Sequence, residues 1–263
     1  MRNVLVFAIG CFVTLGCERD GGAPAAQDAS NPPLPMPFDV AGCAGPSLAP
    51  GDNPTFEIVH DGLARKYILY VPSGIDPKKP APLVVNWHGR QVNASIYQQL
   101  SGNAIAEERN TIVAYPDGIG DSFNAGVCCD QSDGSPNTAD DVGFGRAVVA
   151  EIATKICIDK RRVFSTGLSN GGFMSEHNAC HAADLYAAVA PVSAMGILRP
   201  ECPASRPISI VSFNGTEDEA VPYAVSQQNV AAWVQRNGCS GEPASKPVAA
   251  AAALLGDRWR TLE

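Results

Sequence analysis

Basic clusters, paired cysteine motifs and late histidines are scarce or absent in this sequence, and each absence excludes a class of site. Its 263 residues carry 19 Lys or Arg against 27 Asp or Glu, a formal net charge of −8. The basic residues form no block beyond Lys160-Arg161-Arg162, so nucleic acid is not expected as a partner. The nine cysteines contain no C-x-x-C pair, and we expect no metal and no cofactor.

The first apolar segment is too short for a comfortable membrane span. Residues 4–15 are apolar and follow the single positive charge of Arg2, whereas a spanning helix needs about 20 apolar residues. A charged start followed by a short apolar run is typical of an export signal, here residues 1–17. A buried N-terminal strand or helix is the alternative, but the polar sequence that follows favours export.

The signal ends at a cysteine. Gly16-Cys17 resembles the end of a bacterial lipoprotein signal, although Thr14 stands where leucine is usual. We therefore expect Cys17 to be lipidated, with plain secretion as the alternative. The expected contact with a membrane is limited to this lipid anchor. Residues 18–45 are rich in Gly, Ala and Pro without an apolar period, and they predict a flexible linker.

Strand-like and helix-like segments alternate after the linker. Two β-rich runs at 56–60 and 64–72 flank His60-Asp61-Gly62 and predict a hairpin. Asp140 or Asp141 is the expected N-cap of a helix. The order predicts one α/β domain, residues 46–263, with a mostly parallel sheet flanked by helices. Further predicted strands are 81–89, 111–118, 161–167, 186–194 and 207–216, and predicted helices lie near Glu107 and Glu108 and at 140–157, 171–182 and 224–237.

The sequence Gly167-Leu168-Ser169-Asn170-Gly171 fits G-x-S-x-G and joins a predicted strand to a predicted helix. In a nucleophile elbow of this kind, glycines allow close backbone approach and a strained serine directs its Oγ away from the sheet. A glycine-rich turn with a solvated serine is the alternative. The strand, turn and helix context favours Ser169 as a nucleophile.

Acyl transfer at such a serine also requires two backbone N–H groups for the oxyanion. The first is expected from Asn170, directly after the serine. The second is expected from Arg90, which follows Gly89 after the strand at 81–89. For the His88 ring we favour a packed imidazole over a role as proton acceptor.

An acid is expected at a strand end after the serine, because this fold orders its triad as serine, acid and histidine. Glu217, Asp218 and Glu219 compete for that role, and spacing does not separate them. Three solvated turn acids are the alternative.

Four blocks of sequence carry a resemblance to a known family, in the same order, over about residues 55–240. They are "PLVVNWHG", "DDVGFGRAVVAEIATKICIDKRRVFSTGLSNGGFM", "AAVAPVSA" and "NGTEDEAVPY". They resemble secreted serine esterases of the polyhydroxybutyrate depolymerase and feruloyl esterase family, which have the α/β-hydrolase fold. The resemblance implies cleavage of carboxylic esters, in polyesters or in hydroxycinnamoyl polysaccharides, through an acyl-enzyme.

The same resemblance implies individual roles. The family pattern H-G-T-x-D-x-x-V-P places the orienting acid on Asp218, although Asn214 stands where histidine is common. The loop with Cys128 and Cys129 resembles the family's disulfide-bearing loop beside the site. We expect a monomer that acts on an ester substrate.

The family's general base, a histidine after the acid, has no counterpart in this sequence. The chain has four histidines, and none follows His181. His177 and His181 lie roughly 12 and 18 Å along the predicted helix from Ser169, at ~1.5 Å per residue, which is too far to take its proton. The sequence from Lys246 onward loses strand alternation, so our hypothesis is a truncated or frameshifted esterase.

Two other functions remain open at this point. One is a catalytically inactive binding protein of the cell surface that keeps the fold and the pocket. The other is a hydrolase of the prolyl peptidase type, because the triad does not determine the leaving group.

Overall fold

The computed structural model of this protein describes residues 48–196 and 201–239. The predicted export signal with Cys17, the predicted linker and the tail after residue 239 lie outside the described residues. The strands are β1 Thr55–His60, β2 Leu63–Tyr70, β3 Ala81–Trp87, β4 Ile112–Pro116, β5 Ile158–Leu168, β6 Ala188–Val192 and β7 Ser209–Ile210. The helices are α1 Ala94–Ser101, α2 Ala104–Glu108, α3 Asp141–Lys155, α4 Asn170–His181 and α5 Tyr223–Arg236.

The strands form a mostly parallel sheet, in the order β1-β2-β4-β3-β5-β6-β7. The pairs β1/β2 and β2/β4 are antiparallel, and the other pairs are parallel. The predicted hairpin is confirmed, with its turn at Asp61 and Gly62, whose φ angles are 51° and 75°. The last strand is shorter than predicted, because regular pairing with β6 ends at Ile210. Beyond it the chain keeps backbone hydrogen bonds from Val211 to Val189 and from Phe213 to Pro191, with an isolated bridge between Phe213 and Val192.

Alternating burial explains how the central strands pack. In β3, Ala81, Leu83, Val85 and Trp87 are buried, while the residues between them are partly exposed. Helix α3 packs its buried apolar residues at helical spacing, namely Phe144, Val148 and Ile152. Burial of each large apolar side chain of this kind stabilises the fold by about 1.5–3 kcal/mol.

The start of α3 agrees with one of the two predicted caps. The Asp140 side chain accepts a hydrogen bond from the Gly143 N–H at 2.8 Å, which satisfies one of the helix's first N–H groups. The helix itself begins at Asp141. Over the described part of the chain, no helix has the length and apolar character to cross a membrane.

Two disulfides connect described residues. Cys180, in the last turn of α4, is bonded to Cys202, so this helix is tied to the segment before β7. Cys128 and Cys129 are bonded to each other. Cys157 is also disulfide-bonded.

Asp159 in β5 provides a test of how the fold depends on pH. Its buried carboxylate accepts hydrogen bonds from the side chains of Arg161 (3.2 Å) and Arg162 (2.9 Å). Burial by itself raises the pKa of Asp159, but these bonds outweigh burial and lower the pKa to about 2. The stability it contributes is therefore present above the unfolded pKa of about 4 and is lost as pH falls towards 2.

We expect Asp159→Asn to lower the free energy of unfolding by about 1–2 kcal/mol at neutral pH, because both arginine partners are partly exposed. Near pH 2 most of the difference from the unchanged protein should be lost. Urea unfolding at both pH values measures this, with Asp76→Asn, at an exposed carboxylate, as the control. A difference in unfolding free energy that persists unchanged near pH 2 would contradict the idea that the ionised carboxylate of Asp159 stabilises the fold.

Candidate active site

The residues singled out by the sequence follow strands that end at one edge of the sheet. Trp87 of β3 pairs with Gly167 of β5, and Leu168 of β5 pairs with Val192 of β6. These are the carboxyl ends of parallel strands, where ligands bind in open α/β sheets. The residues that come next in each strand are therefore neighbours at this edge.

Ser169 has the backbone conformation of a nucleophile elbow. Its φ and ψ angles are 53° and −118°, in a region that residues other than glycine rarely adopt. Its N–H donates to the Val192 carbonyl at 2.9 Å, and its own carbonyl accepts from the Phe173 N–H at 2.9 Å. The side chain is exposed. Neighbouring hydrogen bonds thus hold a strained serine in the open, as an attacking hydroxyl requires.

Glycines around Ser169 allow α4 to approach the sheet. A Cβ atom on Gly171 would collide with the Trp87 carbonyl oxygen, and one on Gly167 would lie 2.5 Å from the same oxygen. A Cβ atom on Gly172 would lie 2.5 Å from the Val192 carbonyl oxygen. Any side chain at these positions would push the helix away from the strand ends.

The two expected oxyanion donors belong to the start of α4 and to the loop after β3, and both of these segments adjoin the turn. Asn170 is the first residue of α4, where N–H groups have no acceptor within the helix. The loop after β3 contacts the turn at Gly89, since a Cβ atom there would lie 3.8 Å from the Ser169 Cβ. Arg90 follows Gly89, and its side chain donates to the carbonyls of residues 130 and 131 at 3.0 and 2.7 Å.

His88 is a packed imidazole, as favoured from the sequence. The ring is fully buried, and its Nε2 accepts a hydrogen bond from the Gly118 N–H at 2.9 Å. Its Nδ1 therefore carries the hydrogen and donates to the Gly89 carbonyl at 2.8 Å. Burial lowers the pKa of His88, which favours the neutral ring. With both nitrogens engaged, this ring cannot take a proton from Ser169.

The three candidate acids differ in their surroundings. Glu217 and Glu219 are exposed, whereas Asp218 is partly buried. Oδ1 of Asp218 accepts hydrogen bonds from the N–H groups of Ala220 (3.0 Å) and Val221 (2.9 Å). These contacts distinguish Asp218 from its neighbours, which spacing alone did not.

Asp218 is connected to the Ser169 turn through β6. Its Oδ2 accepts a hydrogen bond from the Ser193 hydroxyl. Ser193 directly follows Val192, whose carbonyl accepts the Ser169 N–H. Asp218 thus lies beside β6, the strand adjacent to β5, which ends just before Ser169.

The remaining histidines lie away from this edge. His60 ends β1 and its Nε2 lies 3.0 Å from Oδ2 of Asp140. Strand β1 is four strands from β5, roughly 19 Å at about 4.8 Å per strand. His177 and His181 lie along α4, with ring centroids 4.3 Å apart. Their helical positions agree with the prediction that neither reaches Ser169.

The side chain of Asn170 has a role that the sequence analysis missed. It is fully buried, and its Oδ1 accepts from the Phe123 N–H at 2.8 Å while its Nδ2 donates to the Phe123 carbonyl at 2.9 Å. This pair of bonds holds the loop at 119–139 against the turn of Ser169. The only signal in the sequence is an amide beside the nucleophile, which does not reveal a partner 47 residues away.

We expect Asn170→Ala to loosen the loop while keeping the backbone N–H at this position. The change leaves the buried N–H of Phe123 without its partner and leaves the Phe123 carbonyl only the longer 3.5 Å bond from the Cys129 N–H, at a cost of about 2 kcal/mol in stability. Urea unfolding and the rate of proteolytic cleavage within the loop measure the effect. Asn137→Ala is the control and should cost less, because Asn137 is only partly buried; it removes the 3.1 Å bond to the Ser122 carbonyl and the 3.3 Å bond from the Ala139 N–H. Equal stability of the Asn170 variant and the unchanged protein would contradict the role of the Asn170 side chain in holding the loop.

Comparison with known proteins places the chain among esterases, although no protein-family model matches it. It is 36% identical over 204 residues to feruloyl esterase B of Piromyces equi, covering 68% of this chain and 37% of that protein. It is 29% identical to feruloyl esterase C of Emericella nidulans, covering 69% and 66%, respectively. It is 30% identical to the putative esterase NocK of Nocardia uniformis subsp. tsuyamanensis, covering 75% and 60%. The chain thus spans less than two thirds of the length of these relatives.

A solved structure of a thermostable esterase is similar in fold. It superposes with a TM-score of 0.55 at 22% identity, covering 71% of this chain and 52% of that one. The shared architecture is the mostly parallel sheet flanked by helices. The predicted fold class is therefore confirmed.

Proposed function

We propose that this chain, which belongs to the feruloyl esterase-like family of α/β-hydrolase serine esterases, hydrolyses carboxylic esters through an acyl-enzyme formed on Ser169. The observation that carries the proposal is the exposed serine in a left-handed turn between β5 and α4. A turn of this kind holds Oγ where an ester carbonyl can reach it. In this proposal the N–H of Asn170, the first residue of α4, is one of the donors to the oxygen that becomes negative.

The steps follow from these positions. Oγ of Ser169 attacks the carbonyl carbon and its proton passes to a base, while the N–H groups of Asn170 and Arg90 stabilise the oxyanion. The alcohol leaves with a proton, and water then hydrolyses the acyl-enzyme. Asp218 is the acid that would orient the protonated base.

The base is the missing part of this proposal. The ring of His88 is engaged at both nitrogens and the other three histidines lie away from Ser169, so we propose that this protein turns over esters slowly. The oxyanion donors and substrate binding alone support a residual rate. Because Ser169 is exposed in the described part, imidazole from solution can approach it and act as the base.

We further propose a hydroxycinnamoyl ester of a polysaccharide as the substrate, with an aliphatic polyester such as polyhydroxybutyrate as the alternative. Two of the relatives are named feruloyl esterases, which favours the first. Export, lipidation at Cys17 and action as a monomer complete the proposal. Export and lipidation rest on the signal-like sequence at residues 1–17.

A second candidate is a surface binding protein without catalysis. The observation that favours it is the placement of the histidines, since His88 is engaged at both nitrogens and His60, His177 and His181 lie away from the turn. Such a protein would use the same edge of the sheet to hold an ester-bearing polymer.

An ester panel separates the two candidates. Methyl ferulate, p-nitrophenyl acyl esters and polyhydroxybutyrate film are incubated with the protein, with and without imidazole. An esterase should release product slowly and faster with imidazole, and preference for methyl ferulate would support the hydroxycinnamoyl substrate. Binding of a substrate without release of any product, at every imidazole concentration, would favour the binding protein.

A further inference from the structure

Two serines occupy equivalent positions on adjacent strands at the edge described above. Ser169 follows Leu168 of β5, and Ser193 follows Val192 of β6, and these two preceding residues are paired in register. The φ angles of the serines are 53° and 51°. Parallel strands lie about 4.8 Å apart, so Ser193 is the direct neighbour of the nucleophile.

The backbone of Ser193 is held in this conformation by hydrogen bonds. Its N–H donates to the Phe213 carbonyl at 2.8 Å, and the Phe213 N–H donates to the Pro191 carbonyl at 3.0 Å. Residue 213 begins the segment that leads to Asp218. Backbone hydrogen bonds alone therefore join the end of β6 to the segment that carries Asp218.

The side chain of Ser193 completes the binding of the Asp218 carboxylate. Its hydroxyl donates to Oδ2, while the N–H groups of Ala220 and Val221 donate to Oδ1. Both carboxylate oxygens are thus held, and the hydroxyl is the donor on the side of β6. Hydrogen bonds to a charged acceptor are stronger than bonds between neutral groups.

A serine is an unfavourable residue for this backbone conformation. Left-handed φ angles disfavour side chains, and glycine adopts them without strain. A residue that bears this strain at the edge of a site often contributes its side chain to the site. Among residues 48–196 and 201–239, the hydroxyl has one partner, the carboxylate of Asp218.

We propose that Ser193 is a positioning residue of this site, whose hydroxyl holds Asp218 in the orientation needed to bind the base beside Ser169. The proposal rests on the proposed function, because Asp218 matters only if Ser169 reacts. Ser193 does not touch the substrate. It acts through Asp218.

Two variants separate the hydroxyl from the backbone conformation. Ser193→Ala removes the hydroxyl and keeps the strain, whereas Ser193→Gly removes both. We expect both to lower the rate at which Ser169 reacts with a fluorophosphonate in the presence of imidazole by about tenfold or more. Ser212→Ala is the control in the same segment, since its hydroxyl accepts a hydrogen bond from Asn214 at 2.8 Å and has no contact with Asp218.

A double-mutant cycle tests whether the effect passes through Asp218. In the Asp218→Asn background, Ser193→Ala should lower the labelling rate no further, because the residue it positions is already changed. Additive losses would overturn the proposal, since a purely structural role would persist in either background. A glycine variant that labels at the rate of the unchanged protein would overturn it as well.

Amide hydrogen exchange tests the positioning without any chemistry at Ser169. The N–H groups of Ala220 and Val221 donate to Asp218, and in both Ser193 variants we expect them to exchange about tenfold faster. Unchanged exchange at these amides would overturn the proposal. If Ser169 of the unchanged protein never reacts, the proposed function fails, while the exchange rates still decide whether Ser193 positions Asp218.

Discussion

Replacement of Ser169 by alanine is expected to abolish covalent reaction of this protein with a fluorophosphonate. The reagent forms a bond between phosphorus and the attacking oxygen, and Oγ of Ser169 is the oxygen that the turn exposes. The unchanged protein should gain the mass of one phosphonyl group at Ser169, slowly by itself and faster with imidazole. Intact-mass spectrometry and peptide mapping measure the site and the rate.

Ser132→Ala is the matched control for this experiment, because Ser132 lies in the loop beside the site and should not carry the label. An alanine variant at position 169 that still gains the label would place the nucleophile elsewhere. Because the effects of residues in a catalytic unit are not additive, we expect the rate of hydrolysis to change less than the rate of labelling when the base is absent. Labelling is therefore the sharper measurement.

Replacement of Arg65 by methionine is expected to lower the free energy of unfolding by about 3–5 kcal/mol. Arg65 and Asp141 are both 1% exposed and form an ion pair. The guanidinium also lies over the Phe144 ring, 3.8 Å from its centroid, while Asp141 accepts the Asn124 N–H at 2.7 Å. The variant leaves the buried Asp141 carboxylate without its cation, and an uncompensated buried charge is strongly destabilising.

The pH dependence of this loss has a defined sign. Burial raises the pKa of Asp141, and Arg65 opposes that rise. Without Arg65 the folded-state pKa should rise further above the unfolded value, so stability is present at low pH and is lost as pH increases through the folded-state pKa. The deficit of the variant should therefore be smaller near pH 4 than near pH 8.

Two comparisons make the result specific. Adding Asp141→Asn to the Arg65 variant should recover part of the stability, because the amide is neutral and can still accept from Asn124. Arg146→Met breaks an exposed pair with Asp184 and should cost less than about 1 kcal/mol. Urea unfolding of all four proteins measures these differences. Equal losses in the Arg65 and Arg146 variants would contradict a special role for the buried pair.

Local signals in the sequence predicted much of the architecture. The strand β3, the hairpin at Asp61 and Gly62 and a cap at Asp140 or Asp141 each depend on a few neighbouring residues. The shape of the turn at Ser169 was also predictable, because the glycines around it are part of the motif itself.

Contacts between distant residues were not predictable in this way. Arg65 and Asp141 are separated by 76 residues, and Ser193 and Asp218 by 25. Nothing in either local sequence distinguishes a partnered side chain from a solvated one. The shortness of β7 was unpredictable for the same reason. The pairing of this segment depends on its contacts with β6, which is distant in sequence, and not on its β propensity.

The loop at 119–139 is held mainly through its own backbone. Four side chains from outside the loop bind its backbone or the backbone just before it. Asn170 binds Phe123, Asp141 binds Asn124, His88 binds Gly118, and Arg90 binds the carbonyls of residues 130 and 131. Backbone groups are the same whatever the side chain. The exposed side chains of this loop, Val127 among them, can therefore diverge while its path stays constant, so that one scaffold can acquire new substrate preferences by changes in a single segment.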